Sequence, residues 1–89
     1  MGRREVDFKY RDRVIEISLT ISTIRRLRGM SQEQLAERAG ISRTEVAFIE
    51  SPVNAFNFTI ETLFALADAL DVTPTDLLNG KIPFQHSDQ

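Results

Sequence analysis

Residues 32–51 read QEQLAERAGISRTEVAFIES, two short apolar-striped runs that meet at a glycine. Each run opens on the same local device. Ser31-Gln-Glu-Gln34 and Ser42-Arg-Thr-Glu45 both have capping-box form: the serine oxygen accepts from the N–H three residues on, and the third side chain reaches back. Leu35, Ala36 and Ala39 give the first run an apolar stripe, and Val46 and Ile49, at i, i+3 spacing, give one to the second. Gly40 stands where the first helix must stop and the backbone must take a left-handed conformation. Two capped helices of about eight residues, separated by Gly40-Ile41, are the local expectation. The rest of the fold has to be built around that pair.

Upstream, residues 13–28 fit two periods. Ile15, Ile17, Leu19 and Ile21 alternate as in a strand, whereas Ile17, Ile21, Ile24 and Arg28 follow helical spacing. Length decides for helix, because the element continues through Arg25, Arg26, Leu27 and Arg28 to a stop at Gly29. Residues 1–12 are polar and read as an arm, with Val6, Phe8 and Tyr10 leaving a short strand open. Downstream, SPVNAFNF is a loop. A fourth helix begins near Thr59 and carries Ile60, Leu63, Phe64, Leu66, Ala67 and Leu70; it is apolar over more than half its girth, so neighbours or a partner must cover it. Thr73-Pro-Thr-Asp76 caps a short fifth helix through Leu77 and Leu78, stopped by Asn79-Gly80. The tail KIPFQHSDQ reads as loose, with Ile82 and Phe84 offered to a partner.

The expected fold is therefore all-α, a five-helix bundle with helices at about 13–28, 31–39, 42–50, 59–71 and 74–79. An N-terminal arm (1–12), one domain (13–80) and a C-terminal tail (81–89) make up the chain. At 89 residues this is one small domain. It has no cysteine, hence no disulfide or thiolate metal site, and its single histidine, His86, lies in the tail with no neighbour to make it a ligand or base. With no glycine-rich phosphate loop and no carboxylate pair in an evident pocket, no enzyme, cofactor or metal is expected. No apolar run approaches the roughly 20 residues of a membrane span, and the N-terminus lacks a secretory core, so a cytoplasmic setting is expected.

The net charge of −2 hides an asymmetry: residues 1–30 hold eight Lys/Arg against four Asp/Glu, and residues 31–89 hold three against nine. Attraction to phosphate must come mainly from the first third. Arg3, Arg4, Lys9, Arg11 and Arg13 read either as a phosphate-tracking arm or as a solvated tail.

Within 32–51 the requirements of a helix-turn-helix are met together. Ala36 is small where two helices cross, Gly40 makes the turn, and Ile41, Val46 and Ile49 supply the apolar plugs. The combination resembles the helix-turn-helix family of phage repressors and Cro, the XRE-type regulators. The resemblance extends over about residues 13–80, through Ile17…Ile21…Ile24-Arg25, Gly29-Met30-Ser31-Gln32, Thr59-Ile60-Glu61-Thr62-Leu63, Leu66-Ala67, Ala69-Leu70, Val72 and Leu77-Leu78.

That resemblance implies a regulator of transcription that binds double-stranded DNA sequence-specifically, as a homodimer on an operator of two half-sites. The second helix of the motif would enter the major groove, with Arg43 and Thr44 toward base edges and Ala47 and Phe48 one turn on. Gln32 would contact phosphate or buttress the motif. Arg25 and Glu50 match positions that form a partly buried ion pair in many members. Glu45, three residues after Ser42, is assigned to a cap. For Phe48, a core role, a thymine-methyl contact and a protein contact all stand. The loop after Glu50 departs from the family in its length and its lack of basic residues. A second reading is an antitoxin-type module whose main partner is a protein such as a toxin; Phe48 and Phe56 motivate it.

Overall fold

The computed structural model describes residues 8–53 and 57–83. A 3-10 turn at Phe8–Tyr10 leads into helix α1 (Arg11–Leu27), followed by α2 (Gln32–Ala39), α3 (Arg43–Glu50), α4 (Ile60–Leu70) and α5 (Pro74–Leu78). Helix α1 begins two residues ahead of the expected start and takes Arg11 and Asp12 out of the arm. No capping residue marks this start: Tyr10 makes no side-chain cap bond, and the helix enters through the 3-10 turn instead. That turn also removes the strand reading for Phe8 and Tyr10, while Val6 lies outside the described residues. So do Arg3, Arg4, Phe56, Phe84 and His86.

The local devices account for the other helix ends. Ser31 Oγ accepts from Gln34 N at 3.0 Å and Gln34 Oε1 accepts from Ser31 N at 2.9 Å, a complete capping box. The box expected at Ser42 is half made: Ser42 Oγ accepts from Glu45 N at 3.0 Å, but the return bond of the Glu45 side chain does not form. Thr59 and Thr73 cap α4 and α5 in the same manner, with Pro74 in the first turn of α5. At the end of α2, Gly40 has φ 73° and ψ 29°. The 3.0 Å bond from Ile41 N to Ala36 O and the 3.3 Å bond from Gly40 N to Glu37 O complete a Schellman stop. The same pair of bonds closes α4, with Asp71 at φ 60° in the left-handed position.

These stops fold the helices around one core. Ile21 and Ile24 of α1, Leu35 of α2, Val46 and Ile49 of α3, Leu66 and Leu70 of α4 and Leu77 of α5 are all fully buried. Helix α2 packs on α3 and α4, and α1 crosses behind α3, α4 and α5. Three small polar side chains of α1 are also buried, and each is satisfied within its own helix: Ser18 bonds Val14 O, Thr20 bonds Glu16 O and Ser22 bonds Leu19 O. The start of the tail, residues 81–83, is tied to the domain. Lys81 N bonds Asp76 O at 2.9 Å, and Ile82 is partly buried against the core.

Candidate nucleic-acid interface

Helix α3 shows the protein and the solvent two different faces. Val46 and Ile49 point into the core and Glu50 is 6% exposed, whereas Arg43 and Thr44 stand exposed at the N-terminal end. Ala47 and Phe48, one turn on, are half-buried, as is Glu45. Of the residues proposed from the sequence to face bases, the structure thus sets two in solvent and two at its margin. The flank of α3 toward α2 is acidic: a shallow depression beside Arg43 is lined by Glu33, Gln34, Ala36, Glu37 and Ile41.

Behind this face lies a charged network that sequence periodicity would assign to solvent. Arg25 of α1 donates from Nε to Glu50 Oε2 at 2.7 Å and from Nη2 to Glu50 Oε1 at 3.0 Å. Its Nη1 donates to Met30 O, also at 2.7 Å. The two side chains are 9% and 4% exposed. Gln32, the first residue of α2 and half-buried, donates from Nε2 to Glu50 Oε1 at 3.0 Å. One carboxylate therefore accepts three hydrogen bonds, from two helices. Burying an ion pair costs several kcal/mol per ion, and the geometry that offsets the cost is the one present: a bidentate contact with extra hydrogen bonds to the charged groups. The network ties the end of α3 to α1, to the α1–α2 turn through Met30, and to the start of α2.

Two further contacts have no local sequence signal. Arg11 Nη2 donates to Val53 O at 2.8 Å, bringing the start of α1 against the turn after α3. Arg28 Nε donates to Leu70 O at 2.9 Å and Nη2 to Asp71 O at 3.2 Å, clamping the end of α4. They join residues 42 and 43 positions apart, beyond the reach of any capping or periodicity rule. Among the described residues, no group of three or more His, Cys, Asp or Glu side chains is placed to hold a metal ion. No described helix is long and apolar enough to cross a membrane.

An all-helical core with a capped, left-handed turn between α2 and α3, and an α3 that is braced from behind and exposed at its N-terminal end, defines a DNA-binding helix-turn-helix protein. The helix-turn-helix family model matches residues 21–77, and the chain belongs to that XRE-type family of sequence-specific DNA-binding transcriptional regulators. Two solved structures are similar to it. One is the restriction-modification controller protein C.AhdI from Aeromonas hydrophila, with 28% identity and a TM-score of 0.70 over 76% of this chain and 96% of that one. The other is a single-site variant of the restriction-modification controller protein C.Esp1396I, with 31% identity and a TM-score of 0.65 over 74% of this chain and 84% of that one. No curated protein sequence matches the chain.

Proposed function

We propose that this regulator acts in the cytoplasm, without catalysis, as a homodimer that places the two copies of α3 in successive major-groove half-sites. The observation that carries the reading is the exposed Arg43-Thr44 end of α3, held from behind by the buried Arg25–Glu50–Gln32 network. Arg43 is assigned to a base edge, where a guanidinium bonded to guanine O6 and N7 is the commonest specific contact. Thr44, Ala47 and Phe48 complete the reading set. Gln32 is assigned to both duties left open by the sequence. An amide nitrogen carries two hydrogens, so the bond to Glu50 leaves a second for a phosphate oxygen at the start of α2.

The partner copy is assigned to the face formed by α4 and α5. Ile60, Phe64 and Leu78 are 65%, 50% and 50% exposed. Ile60 and Phe64 are one helical turn apart, and Ile60 and Leu78 line one apolar cleft with Val14, Ile17, Phe58 and Leu63. The similarity to two restriction-modification controller proteins supports a role in controlling restriction-modification. The same exposed apolar face supports the second reading, a protein partner of another kind such as a toxin.

Selection of duplexes from a random pool with the purified chain tests the first reading. The expected product is one enriched site with two related half-sites, binding two protomers. A pool that enriches nothing would move the function to protein contact.

A further inference from the structure

The loop that follows the reading helix, Ser51 to Thr59, contains no lysine or arginine, yet it is met by one. Arg11, in the first turn of α1, donates from Nη2 to Val53 O at 2.8 Å. Pro52 and Val53 are exposed and Val53 is 73% so; Arg11 is half-buried. This contact gives a place to part of the positive charge concentrated in the first thirty residues. It sets one of those cations at the C-terminal end of α3, while Arg43 stands at the N-terminal end.

From this contact we propose that Arg11 is a phosphate-contacting residue for the DNA backbone beside the groove that α3 enters. It supplies from α1 the charge that the loop lacks. The inference rests on the DNA-binding reading above. A guanidinium has five N–H donors in a rigid planar fork; one of them holds the Val53 carbonyl, and the fork keeps further donors for a phosphate oxygen. A cation already fixed by the fold loses less conformational freedom on binding than one on a mobile tail. Such a contact positions the protein on the duplex and carries no sequence information. Arg13 is the internal control. It is as close in sequence and more exposed, but residues two apart on a helix do not share a face.

The test is the salt dependence of binding to the selected duplex and to a random one, for the whole chain and three variants. Removing one cation that neutralises a phosphate should lower the slope of log K against log salt by about 0.9 per bound protomer, or about 1.8 for two protomers on two half-sites. For Arg11→Gln we expect that decrease, with the same fold-weakening on both duplexes. Arg11→Lys and Arg13→Gln should keep the parental slope. A parental slope in Arg11→Gln overturns the inference, as does an equal fall in Arg11→Gln and Arg13→Gln, which would mean diffuse attraction. Weaker binding at unchanged slope in both Arg11 variants also overturns it, leaving Arg11 a strut for the loop. Should Arg11→Gln not fold, arginine labelling of the parent with phenylglyoxal, with and without duplex, reads the same point. Protection of Arg11 is expected, and equal labelling overturns the assignment. A parent that binds no duplex sinks the DNA reading as a whole, whereas parental binding with unprotected Arg11 sinks this inference alone.

Discussion

Arg25 and Glu50 face each other across 2.7 Å at the back of α3, almost wholly shielded from water and joined by two parallel bonds. Their worth lies in what happens when one is removed. Glu50→Ala would leave a buried guanidinium whose Nε and Nη2 have no acceptor, and would strip Gln32 of its own. A destabilisation of about 3–5 kcal/mol is expected, read by urea denaturation. The pair replaced together by apolar residues of similar volume, Arg25→Met with Glu50→Leu, should recover most of it. A Glu50→Ala variant that denatures at the parental urea concentration would show that the network does not carry the fold.

Arg43 is expected to separate affinity from stability. It is exposed and contributes no core contact, so Arg43→Ala should leave the folding free energy within about 0.5 kcal/mol of the parent. On the selected operator the same change should cost about 1–3 kcal/mol and relax preference at a single base position. Binding to random duplex should fall much less. Equal weakening on both duplexes would reassign Arg43 to phosphate.

What can be read in the sequence, and what cannot, divides by the distance over which the chain acts on itself. The serine and threonine caps and the Gly40 stop depend on neighbours three to five residues away, and their residue types name them. The start of α1 escapes a sequence reading because nothing there caps: Tyr10 offers no oxygen to the first turn. Glu45 has the right residue type for a full capping box, yet only its backbone N–H takes part. Arg25 and Glu50, 25 residues apart, are legible through family resemblance and by no local rule. Arg11 and Arg28 carry no signal at all. An arginine's reach toward a carbonyl about forty residues away is decided by packing, and an exposed and a tethered arginine look the same in a sequence. The role of Ile82 is hidden for a related reason, since an apolar residue in a short, mostly polar segment does not say whose surface it covers.

The junction between α4 and α5 combines a strained residue with a clamp. Asp71 takes φ 60° where most helix stops use glycine, and Arg28 holds the carbonyls of Leu70 and Asp71 in place. Asp71 is exposed, so substitutions there report backbone preference more than packing. Asp71→Ala should destabilise by about 1 kcal/mol, because a β-carbon in the left-handed region costs that much without a short polar side chain to soften it. Asp71→Gly should be neutral or slightly stabilising, as relief of strain is set against the entropy of glycine. Arg28→Ala should cost about 1–2 kcal/mol for its two bonds, or roughly 4–8 °C of melting temperature per kcal/mol in a domain of this size. Thermal melts that rank alanine above glycine at position 71 would show that another contact, not strain, governs the junction.

The α4–α5 face sets the last expectation, and it links assembly to affinity. Phe64 is half exposed, with Ile60 a turn before it, and Ile60 lines a cleft with Phe58, Leu63 and Leu78. A carboxylate there is tolerated by a lone protomer, where water reaches it, and not in a dry contact between two copies. Phe64→Glu should therefore keep the helical fold, with a stability change of about 1 kcal/mol or less. It should weaken self-association by at least about 2 kcal/mol, near 30-fold. Operator affinity should fall with it, because two half-sites are no longer read as one, while binding to a single half-site stays at its parental value. Sedimentation of parent and variant across a concentration series, beside titrations on whole and half operators, reads all three quantities. A variant that sediments like the parent would place the dimer contact elsewhere; one that dissociates yet holds the whole operator as tightly would show that the protomers bind independently.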